Sequence, residues 1–332
     1  MEAKAVPSVT FRDGRQMPLL GLGTFMASSE VVGQAVDAAL ETGYRHIDTA
    51  YLYGNEAAIG QTLKKWLDYG RLKREELFVV TKLPNTGNRA ESVEKYMKKS
   101  LEALQLSYVD LYLVHSAVGY LEKENSSPFN RELDMSTDHI SLWKAMEAQV
   151  DAGRARSIGL SNFNARQVKR IVQAARIPPA NLQVELNVYF QQRELVAFCK
   201  ALDVTVCAYA PLGSPAFPEF LSMFGNSLSD TPILSPLSDP VVAGVAEKHG
   251  RTPAQVLLRH VVQRGVVAIP KSSNPERIRE NFQYVTSSRV PVQRPLLSRT
   301  MAYARKKARS SSVQLYSLLI IKQLYTIINK FY

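Results

Sequence analysis

The sequence predicts an α/β protein built as a (β/α)8 TIM barrel with an N-terminal β-hairpin. Short β-branched runs such as LFVVTK and YVDLYLVH alternate with stretches whose apolar residues recur with the 3.6-residue period of a helix. Strands separated by helices pair in parallel through crossovers, and eight such units in about 280 residues are typical of a barrel. A doubly wound parallel sheet is the alternative architecture.

The hairpin and the helix ends follow from local signals. SVTF and QMPLL flank Asp13-Gly14 and are expected to form a hairpin that plugs the bottom of the barrel. The first helix is predicted to have its N-cap at Ser29 and to end at Gly43. A later helix is predicted to begin with Thr252 as N-cap and Pro253 at its first position.

The strands and one long loop complete the expected architecture. A segment at about 213–239 is rich in Gly, Ser and Pro, which predicts a functional loop over the barrel. The eight predicted strands lie around residues 19–23, 45–48, 77–82, 109–114, 156–160, 182–186, 204–208 and 266–270.

The composition limits the class of protein. The 332 residues are 45% hydrophobic and 21% charged, as in an ordinary globular chain. The only two cysteines, Cys199 and Cys207, exclude a disulfide framework and a zinc site built from cysteines. The first residues, MEAKAVPSVTF, contain no apolar core of a signal peptide. We therefore expect a cytosolic protein without a metal, and we expect a monomer.

The net charge of +11 is concentrated at one end of the chain. Residues 283–332 hold nine Lys and Arg and no Asp or Glu, whereas residues 1–282 hold 32 basic and 30 acidic residues. The main part of the chain therefore lacks the basic excess of a nucleic-acid-binding domain. We predict a barrel domain at 1–282 and a divergent basic tail at 283–332.

The tail has two interpretations. A basic cluster at 305–309 beside an apolar stretch can address a membrane surface or the nucleus. Lys322, Gln323, Asn329 and Lys330 interrupt the final apolar run, so no membrane anchor is expected. The interpretation that we favour is a splice variant, unspliced read-through or gene-model error, because the composition changes abruptly.

Several common catalytic and nucleotide-binding motifs are absent from the sequence. The GLG at 21–23 does not continue as GxGxxG, and no acidic residue follows at the usual distance. The chain contains no GxxxxGK[ST], HExxH or GxSxG. These absences argue against a Rossmann dinucleotide fold, a P-loop enzyme, a zinc protease and a serine hydrolase.

Four side chains at predicted strand ends suggest acid catalysis. Asp48 and Tyr53 follow one strand, Lys82 ends the next, and His115 ends the one after that. The carboxyl ends of barrel strands meet on one face, where active sites lie. A nearby ammonium would lower the pKa of a phenol, a carboxylate would hold the ammonium, and an imidazole could orient a substrate oxygen. Together they could protonate a carbonyl oxygen.

These residues carry a family resemblance. In order, HIDTAYLYGNE, VVTKL, LYLVH, IGLSNFN, LQVELNVY, AYAPLGSP and IPKSSNPERIRENF resemble the aldo-keto reductase superfamily from about residue 8 to 282. The resemblance implies a barrel enzyme that reduces aldehydes and ketones with NADPH and without metal. LQVEL, and TPAQVLLRHVVQRG with PANLQ, are most similar to arthropod members.

The resemblance also implies roles for single catalytic residues. Tyr53 would donate the proton, and Lys82 would lower the pKa of its hydroxyl. Asp48 would anchor Lys82, and His115 would orient the carbonyl. The alternative is that the chain is a catalytically weak NADPH-binding regulatory or structural protein on the same barrel.

Cofactor contacts at the nicotinamide end are implied by the same matches. Ser161, Asn162 and Gln183 would bind the carboxamide, and Tyr209 would stack on the ring. The ribose and pyrophosphate contacts would come from Thr24, Asp48, Leu212 and Ser214.

At the adenosine end, Lys271, Ser272 and Arg277 would bind the 2′-phosphate. An Arg fork and a Lys charge near a helix start suit a dianionic phosphate, which favours NADPH over NADH. The resemblance adds Asn274 beside the phosphate, and Glu280 and Asn281 at the adenine.

Three departures from the family concern the substrate pocket. Phe25, Pro84 and Ser116 occupy positions where many members have tryptophan. Fewer indoles should leave a wider, less aromatic pocket, so we predict activity toward bulkier ketones and aldehydes.

Overall fold

The computed structural model describes residues 6–122, 132–216 and 235–285, and it confirms the predicted barrel. The eight parallel strands stand in chain order around the sheet, without the reversal that a doubly wound sheet would show. They are β3 (Leu22–Gly23), β4 (His46–Asp48), β5 (Phe78–Leu83), β6 (Val109–Val114), β7 (Ala155–Ser161), β8 (Asn181–Glu185), β9 (Thr205–Tyr209) and β10 (Val267–Ala268).

Two backbone bridges close the barrel between its first and last strands. Leu20 pairs with Ala268, and Gly23 pairs with Lys271, both in parallel. The strands predicted at 19–23 and 266–270 are therefore in the right places, although only two residues of each form regular strand.

The glycines of the GLG segment permit close contacts at this seam and with the neighbouring strand β4. A Cβ added to Gly23 would lie 2.7 Å from the carbonyl oxygen of Ile269, and one added to Gly21 would lie 2.5 Å from Nδ1 of His46. A side chain at position 23 would therefore push the seam apart, and one at position 21 would collide with the His46 ring on β4. In this chain the segment serves barrel packing.

Helices cover the outside of the strands. Their apolar faces pack on the buried strands in one core that contains most of the buried apolar side chains. Within the described residues the helices are α1 (Ser29–Thr42), α2 (Glu56–Asp68), α3 (Ala90–Leu104), α4 (His139–Asp151), α5 (Ala165–Ala174), α6 (Arg193–Ala201), α7 (Pro240–Lys248), α8 (Pro253–Val262) and α9 (Pro275–Val285).

The helix ends agree with the sequence signals in most places. Gly43 ends α1 with φ 113°, and its N–H donates to Ala39 and Leu40. Thr252 caps α8, and Pro253 opens it. The N-cap of α1, however, is Ser28 and not Ser29, because Ser29 already has helical geometry. Two adjacent serines leave this choice open in the sequence.

The hairpin pairs β1 (Ser8–Thr10) with β2 (Gln16–Pro18), as predicted. Its turn contacts the amino ends of the barrel strands: Ser157 Oγ bonds Asp13. Met17 is fully buried, and its sulfur lies 3.8 Å from Nδ2 of Asn181 at the start of β8. These contacts place the hairpin across the bottom of the barrel.

Two predicted segments lie partly or wholly outside the described residues. Of the loop predicted at 213–239, residues 217–234 lie outside them. Of the tail, residues 286–332 lie outside them, and α9 continues to Val285. The division at residue 282 stays a prediction.

Candidate active site

The barrel brings the four predicted side chains to the carboxyl ends of three neighbouring strands. Asp48 is the last residue of β4, Lys82 lies near the end of β5, and His115 follows β6. Tyr53 lies in a short 3₁₀ turn, Tyr51–Tyr53, that follows β4. Because the strands are parallel, their carboxyl ends lie on the same face of the barrel, and this produces the cluster that the sequence predicts.

Lys82 is the centre of this cluster. Its side chain has no solvent exposure, and its Nζ donates to Oδ1 of Asp48 at 2.6 Å, to the carbonyl of Thr49 at 2.8 Å and to the hydroxyl of Tyr53 at 3.4 Å. Burial alone would lower the pKa of Lys82, but Asp48 and Tyr53 outweigh it and raise that pKa. Lys82 is therefore a protonated donor at neutral pH.

Tyr53 is enclosed by aromatic and charged neighbours. The rings of Tyr53 and His115 meet edge to face, with centroids 5.7 Å apart, and the ring of Phe25 lies 5.1 Å away. Gly54 ends the turn with φ 66°, a conformation that favours glycine. The hydroxyl of Tyr53 thus accepts from the Lys82 ammonium, and its ring lies against the His115 imidazole.

The pKa of Tyr53 differs from the prediction. Lys82 lowers it through charge and hydrogen bonding, as expected, but burial raises it more, and Asp48 also raises it. The net pKa lies above the ordinary tyrosine value. Lys82 thus opposes a larger desolvation effect, whose size depends on packing that the sequence does not reveal.

His115 is neutral in this environment. Burial and the charge of Lys82 lower its pKa to about 3. Its Nδ1 is buried without a hydrogen-bond partner among the described residues, and its carbonyl accepts from Nδ2 of Asn162 at 3.0 Å. A neutral imidazole can donate a hydrogen bond from its N–H to a carbonyl oxygen without itself acting as the acid that gives up a proton.

A wall of amide and hydroxyl groups adjoins the cluster. Nε2 of Gln183 donates to Oδ2 of Asp48 at 2.7 Å, and the hydroxyl of Tyr209 donates to Oδ1 of Asn162 at 3.0 Å. Asn162 also donates to Ser161 Oγ at 3.2 Å, and its φ of 60° is in the left-handed region. This wall unites the residues predicted to bind a carboxamide.

The ribose and pyrophosphate candidates lie on two loops. Thr24 is buried, and its Oγ1 donates to the carbonyl of Asp48 at 3.0 Å. Leu212 packs against the core, and Ser214 follows Gly213 with φ 51°. Thr24 therefore touches the cluster directly, and Leu212 and Ser214 form the turn after β9.

The adenosine-end candidates are grouped around the start of α9. Lys271 and Arg277 are exposed, Ser272 and Asn281 are buried. Oδ1 of Asn274 accepts from the backbone N–H groups of residues 276 and 277 at 2.9 and 3.0 Å, so these helix-start donors are already bonded. An anion here would depend on the side chains of Lys271 and Arg277.

Glu280 has a bonding partner that the sequence does not predict. Its Oε1 accepts from Oγ1 of Thr252 at 2.6 Å, and its carbonyl accepts from Nε2 of Gln255 at 2.8 Å. Glu280 therefore joins α9 to the first turn of α8. Its predicted contact with adenine stays a prediction.

The three substrate-pocket candidates differ in exposure. Phe25 is 47% exposed beside Tyr53, whereas Pro84 is buried at the end of β5. Ser116 is half-buried, and its Oγ accepts from the backbone N–H of Val118 at 3.2 Å. Phe25 is thus the most open of the three.

Two buried polar residues after Tyr53 were not predicted. Nδ2 of Asn55 donates to the carbonyls of Thr24 and Ala27, each at 3.0 Å, and its Oδ1 accepts from Thr49 at 3.1 Å. Glu56 is only 4% exposed. In the sequence, Asn55 and Glu56 follow Tyr-Gly and resemble an ordinary exposed helix start, so their burial could not be predicted.

The fold and this cluster define a barrel with a buried polar site at the carboxyl ends of its strands, and the comparisons with known proteins specify its family. Residues 19–291 match the sequence profile described as "Aldo/keto reductase family". The chain is 46% identical over 280 residues to aldo-keto reductase family 1 member A1 of Mus musculus, covering 83% of each chain. Over 285 residues it is 45% identical to that of Homo sapiens, covering 84% of each. The chain belongs to the aldo/keto reductase family.

Solved structures agree with this assignment. The aldose reductase of Schistosoma japonicum superposes with a TM-score of 0.79 at 39% identity, covering 90% of this chain and 92% of that one. The aldo-keto reductase of Bombyx mori, in complex with NADP, gives 0.78 at 34% identity, covering 90% and 93%. The resemblance to arthropod members in particular stays a prediction.

Two features are absent from the part of the chain that the structure describes. Within residues 6–122, 132–216 and 235–285, no helix combines the length and the apolarity that a membrane crossing needs. In the same ranges, no three or more His, Cys, Asp and Glu side chains are grouped in a way that could hold a metal ion.

Proposed function

We propose that this chain reduces aldehydes and ketones to alcohols with NADPH, as an alcohol dehydrogenase or carbonyl reductase of the NADP-dependent type. The observation that carries the proposal is the buried Lys82, bonded at once to Asp48 and to the hydroxyl of Tyr53, beside a neutral His115. A buried ion pair is often no more stabilising than apolar residues of the same size. Stability alone therefore does not explain a buried lysine charge at this position.

The donor set suits NADPH. The Ser161, Asn162 and Gln183 side chains offer the hydroxyl and amide groups that match a carboxamide, and Tyr209 supplies a flat ring beside them. After the last strand, on the same face of the barrel, exposed Lys271 and Arg277 suit a phosphate on the adenosine ribose. When bound, NADPH supplies the hydride for the carbonyl carbon.

The chain's own residues would handle the proton. His115 would donate an N–H to the substrate oxygen and orient it toward Tyr53. Tyr53 would transfer its hydroxyl proton to that oxygen as charge develops there, and Lys82 would stabilise the tyrosinate that forms. Because the pKa of Tyr53 is raised by burial, the hydroxyl is fully protonated at neutral pH and ready to act as the acid.

The proposal extends to the substrate and the setting. A small-molecule carbonyl compound is the expected partner, with bulkier ketones and aldehydes favoured by Phe25, Pro84 and Ser116. We place the enzyme in the cytosol as a monomer. The free thiols Cys199 and Cys207 are both buried, and burial raises the pKa of Cys199 to about 12, so neither thiol is a reactive nucleophile in this proposal.

The test is NADPH consumption by the full-length chain with a panel that runs from benzaldehyde to bulky ketones, beside Tyr53→Phe. We expect turnover that Tyr53→Phe reduces by at least about a thousandfold while the variant still binds NADPH, because only the proton donor is lost. A folded chain that binds NADPH without turnover would support the regulatory alternative. A much higher kcat/KM for benzaldehyde than for bulky ketones would contradict the wide pocket.

A further inference from the structure

A buried carboxylate lies behind the proton donor, outside the barrel mouth. Glu56 is the first residue of α2 and is 4% exposed. Its Oε1 accepts from Oγ1 of Thr81 at 2.6 Å, and its Oε2 accepts from Oγ of Ser100 at 3.0 Å. Placing a carboxylate there costs free energy, since its described hydrogen-bond partners are neutral hydroxyls. Such a cost suggests a role beyond filling space.

The two hydroxyls connect Glu56 to different elements. Thr81 belongs to β5 and immediately precedes Lys82, whereas Ser100 belongs to α3. Neighbouring strand residues point to opposite faces, so Lys82 faces the barrel interior while Thr81 faces the helices. Only the bond to Thr81 therefore leads directly to the strand position that carries the ammonium.

The other end of the connection is Tyr53. Tyr53 precedes Glu56 by three residues, and Gly54 and Asn55 join them with no free loop between. Asn55 fixes the same turn to the loop after β3 through its bonds to Thr24 and Ala27. Asn55 thus holds the Tyr53 turn to the loop after β3, and the bond from Thr81 to Glu56 ties the same turn to β5.

This matters because the Tyr53 to Lys82 bond is the weakest of the three that Lys82 makes. At 3.4 Å it is close to the limit of a hydrogen bond, whereas the bonds to Asp48 and Thr49 are 2.6 and 2.8 Å. A displacement of a few tenths of an ångström would remove it. We infer that Glu56 is a positioning residue that holds the proton donor Tyr53 within reach of Lys82 through its bond to Thr81. The inference rests on the proposed reductase function.

The experiment uses a matched pair of variants that each cut one bond of the same carboxylate. Thr81→Val removes the link to β5, and Ser100→Ala removes the link to α3. For Thr81→Val and for Glu56→Ala we expect kcat to fall roughly ten- to a hundredfold with little change in KM. For Ser100→Ala we expect near wild-type kcat even if its Tm falls. Glu56→Gln keeps groups able to bond both hydroxyls and should rescue most of kcat.

The pH profile separates positioning from general destabilisation. Reduction requires the protonated phenol, so kcat falls as pH rises through the pKa of Tyr53. Because Lys82 lowers that pKa, loss of the contact should move the alkaline limb to higher pH in Glu56→Ala and Thr81→Val. Ser100→Ala and Glu56→Gln should keep the wild-type limb.

The outcomes are distinguishable from failure of the proposed function. If the wild type turns over and Tyr53→Phe does not, the reductase stands. Equal losses of kcat in Thr81→Val and Ser100→Ala, or an unmoved alkaline limb in Glu56→Ala, would then overturn the positioning role alone. If the wild type shows no turnover, NMR titration of the labelled tyrosines, with the Tyr53 signal assigned by its absence in Tyr53→Phe, still reports whether Glu56→Ala raises the pKa of Tyr53. An unchanged pKa would reject the inference.

Discussion

Lys82 shows how one buried charge organises the residues around it. Its ammonium has no contact with solvent, and each of its three hydrogens has an acceptor. Asp48 supplies the only full negative charge among these acceptors, and Gln183 holds its second oxygen. The charge pair, and not any single residue, is the structural unit of the site.

At this scale we predict the effect of Asp48→Asn. The variant leaves the Lys82 charge buried beside a neutral amide, so the free energy of unfolding should fall by about 3–5 kcal/mol at pH 7. Because Asp48 raises the pKa of Lys82, the lysine's share of this stability is fully present just below the ordinary lysine pKa and is lost as the pH rises through the raised pKa of Lys82. Urea unfolding measures it.

The control is Asp68→Asn. Asp68 pairs with Lys64 at 2.7 Å on the surface, where both side chains are more than half exposed. Its loss should cost less than about 1 kcal/mol. Similar losses for both variants would contradict the role assigned to the buried pair.

Among the elements, α8 and α9 depend on one another. Oγ1 of Thr252 accepts from the backbone N–H of Gln255 at 3.3 Å and donates to Glu280 at 2.6 Å. The N-cap residue of α8 is therefore also hydrogen-bonded to α9, the helix that carries Arg277 and Asn281.

We predict that Thr252→Ala lowers the free energy of unfolding by about 1–2 kcal/mol, because the cap and the bond to Glu280 disappear together. Thr252→Ser keeps the hydroxyl and should recover most of that stability. Chemical denaturation of both variants tests the claim, and equal losses would show that the hydroxyl is not the cause.

For the whole molecule, buried histidines predict its response to acid. Burial lowers the pKa of His46 and His260 to about 4 and that of His115 to about 3, against 6.5 when unfolded. At these three histidines the unfolded chain therefore binds more protons than the folded one between pH 6.5 and about 4. Their contribution to stability is complete above pH 6.5 and is lost as the pH falls through this window.

Burial raises the pKa of Glu56, Asp110 and Glu185, so these carboxyls change the free energy of unfolding with pH in the opposite direction. The prediction is therefore tested on a single histidine. The measured quantity is the difference in free energy of unfolding between the wild type and His260→Gln. As the pH falls from 6.5 to 4, this difference should decrease by up to about 1.4 kcal/mol per pH unit. A difference that stays constant with pH would contradict a neutral, buried His260.

Much of the molecule was predictable because its signals are local. The strand at 109–114 coincides with β6 because VDLYLV is a short run in which every residue except Asp110 is apolar or aromatic. The cluster of Asp48, Tyr53, Lys82 and His115 follows from strand ends, which a parallel barrel must bring together. The position of Thr252 follows from the Pro that comes after it.

The rest depended on packing, which local signals do not encode. The raised pKa of Tyr53 reflects how completely neighbours exclude water. Glu56 resembles an exposed acidic residue at a helix start until α3 and β5 enclose it. The bond of Glu280 to Thr252 joins residues on two helices, and neither helix signals the other.

The closing seam of the barrel also has a thermodynamic consequence. The first and last strands are joined by few backbone pairs, including Leu20 with Ala268 and Gly23 with Lys271, so this edge should open locally at lower free energy than the rest. Thr24 and Lys271 stand on opposite sides of it. A dinucleotide that contacted both residues would bind only the closed seam and would stabilise it. Its affinity would therefore include the free energy of closing the seam. Tight cofactor binding and a closed barrel would then be one coupled equilibrium.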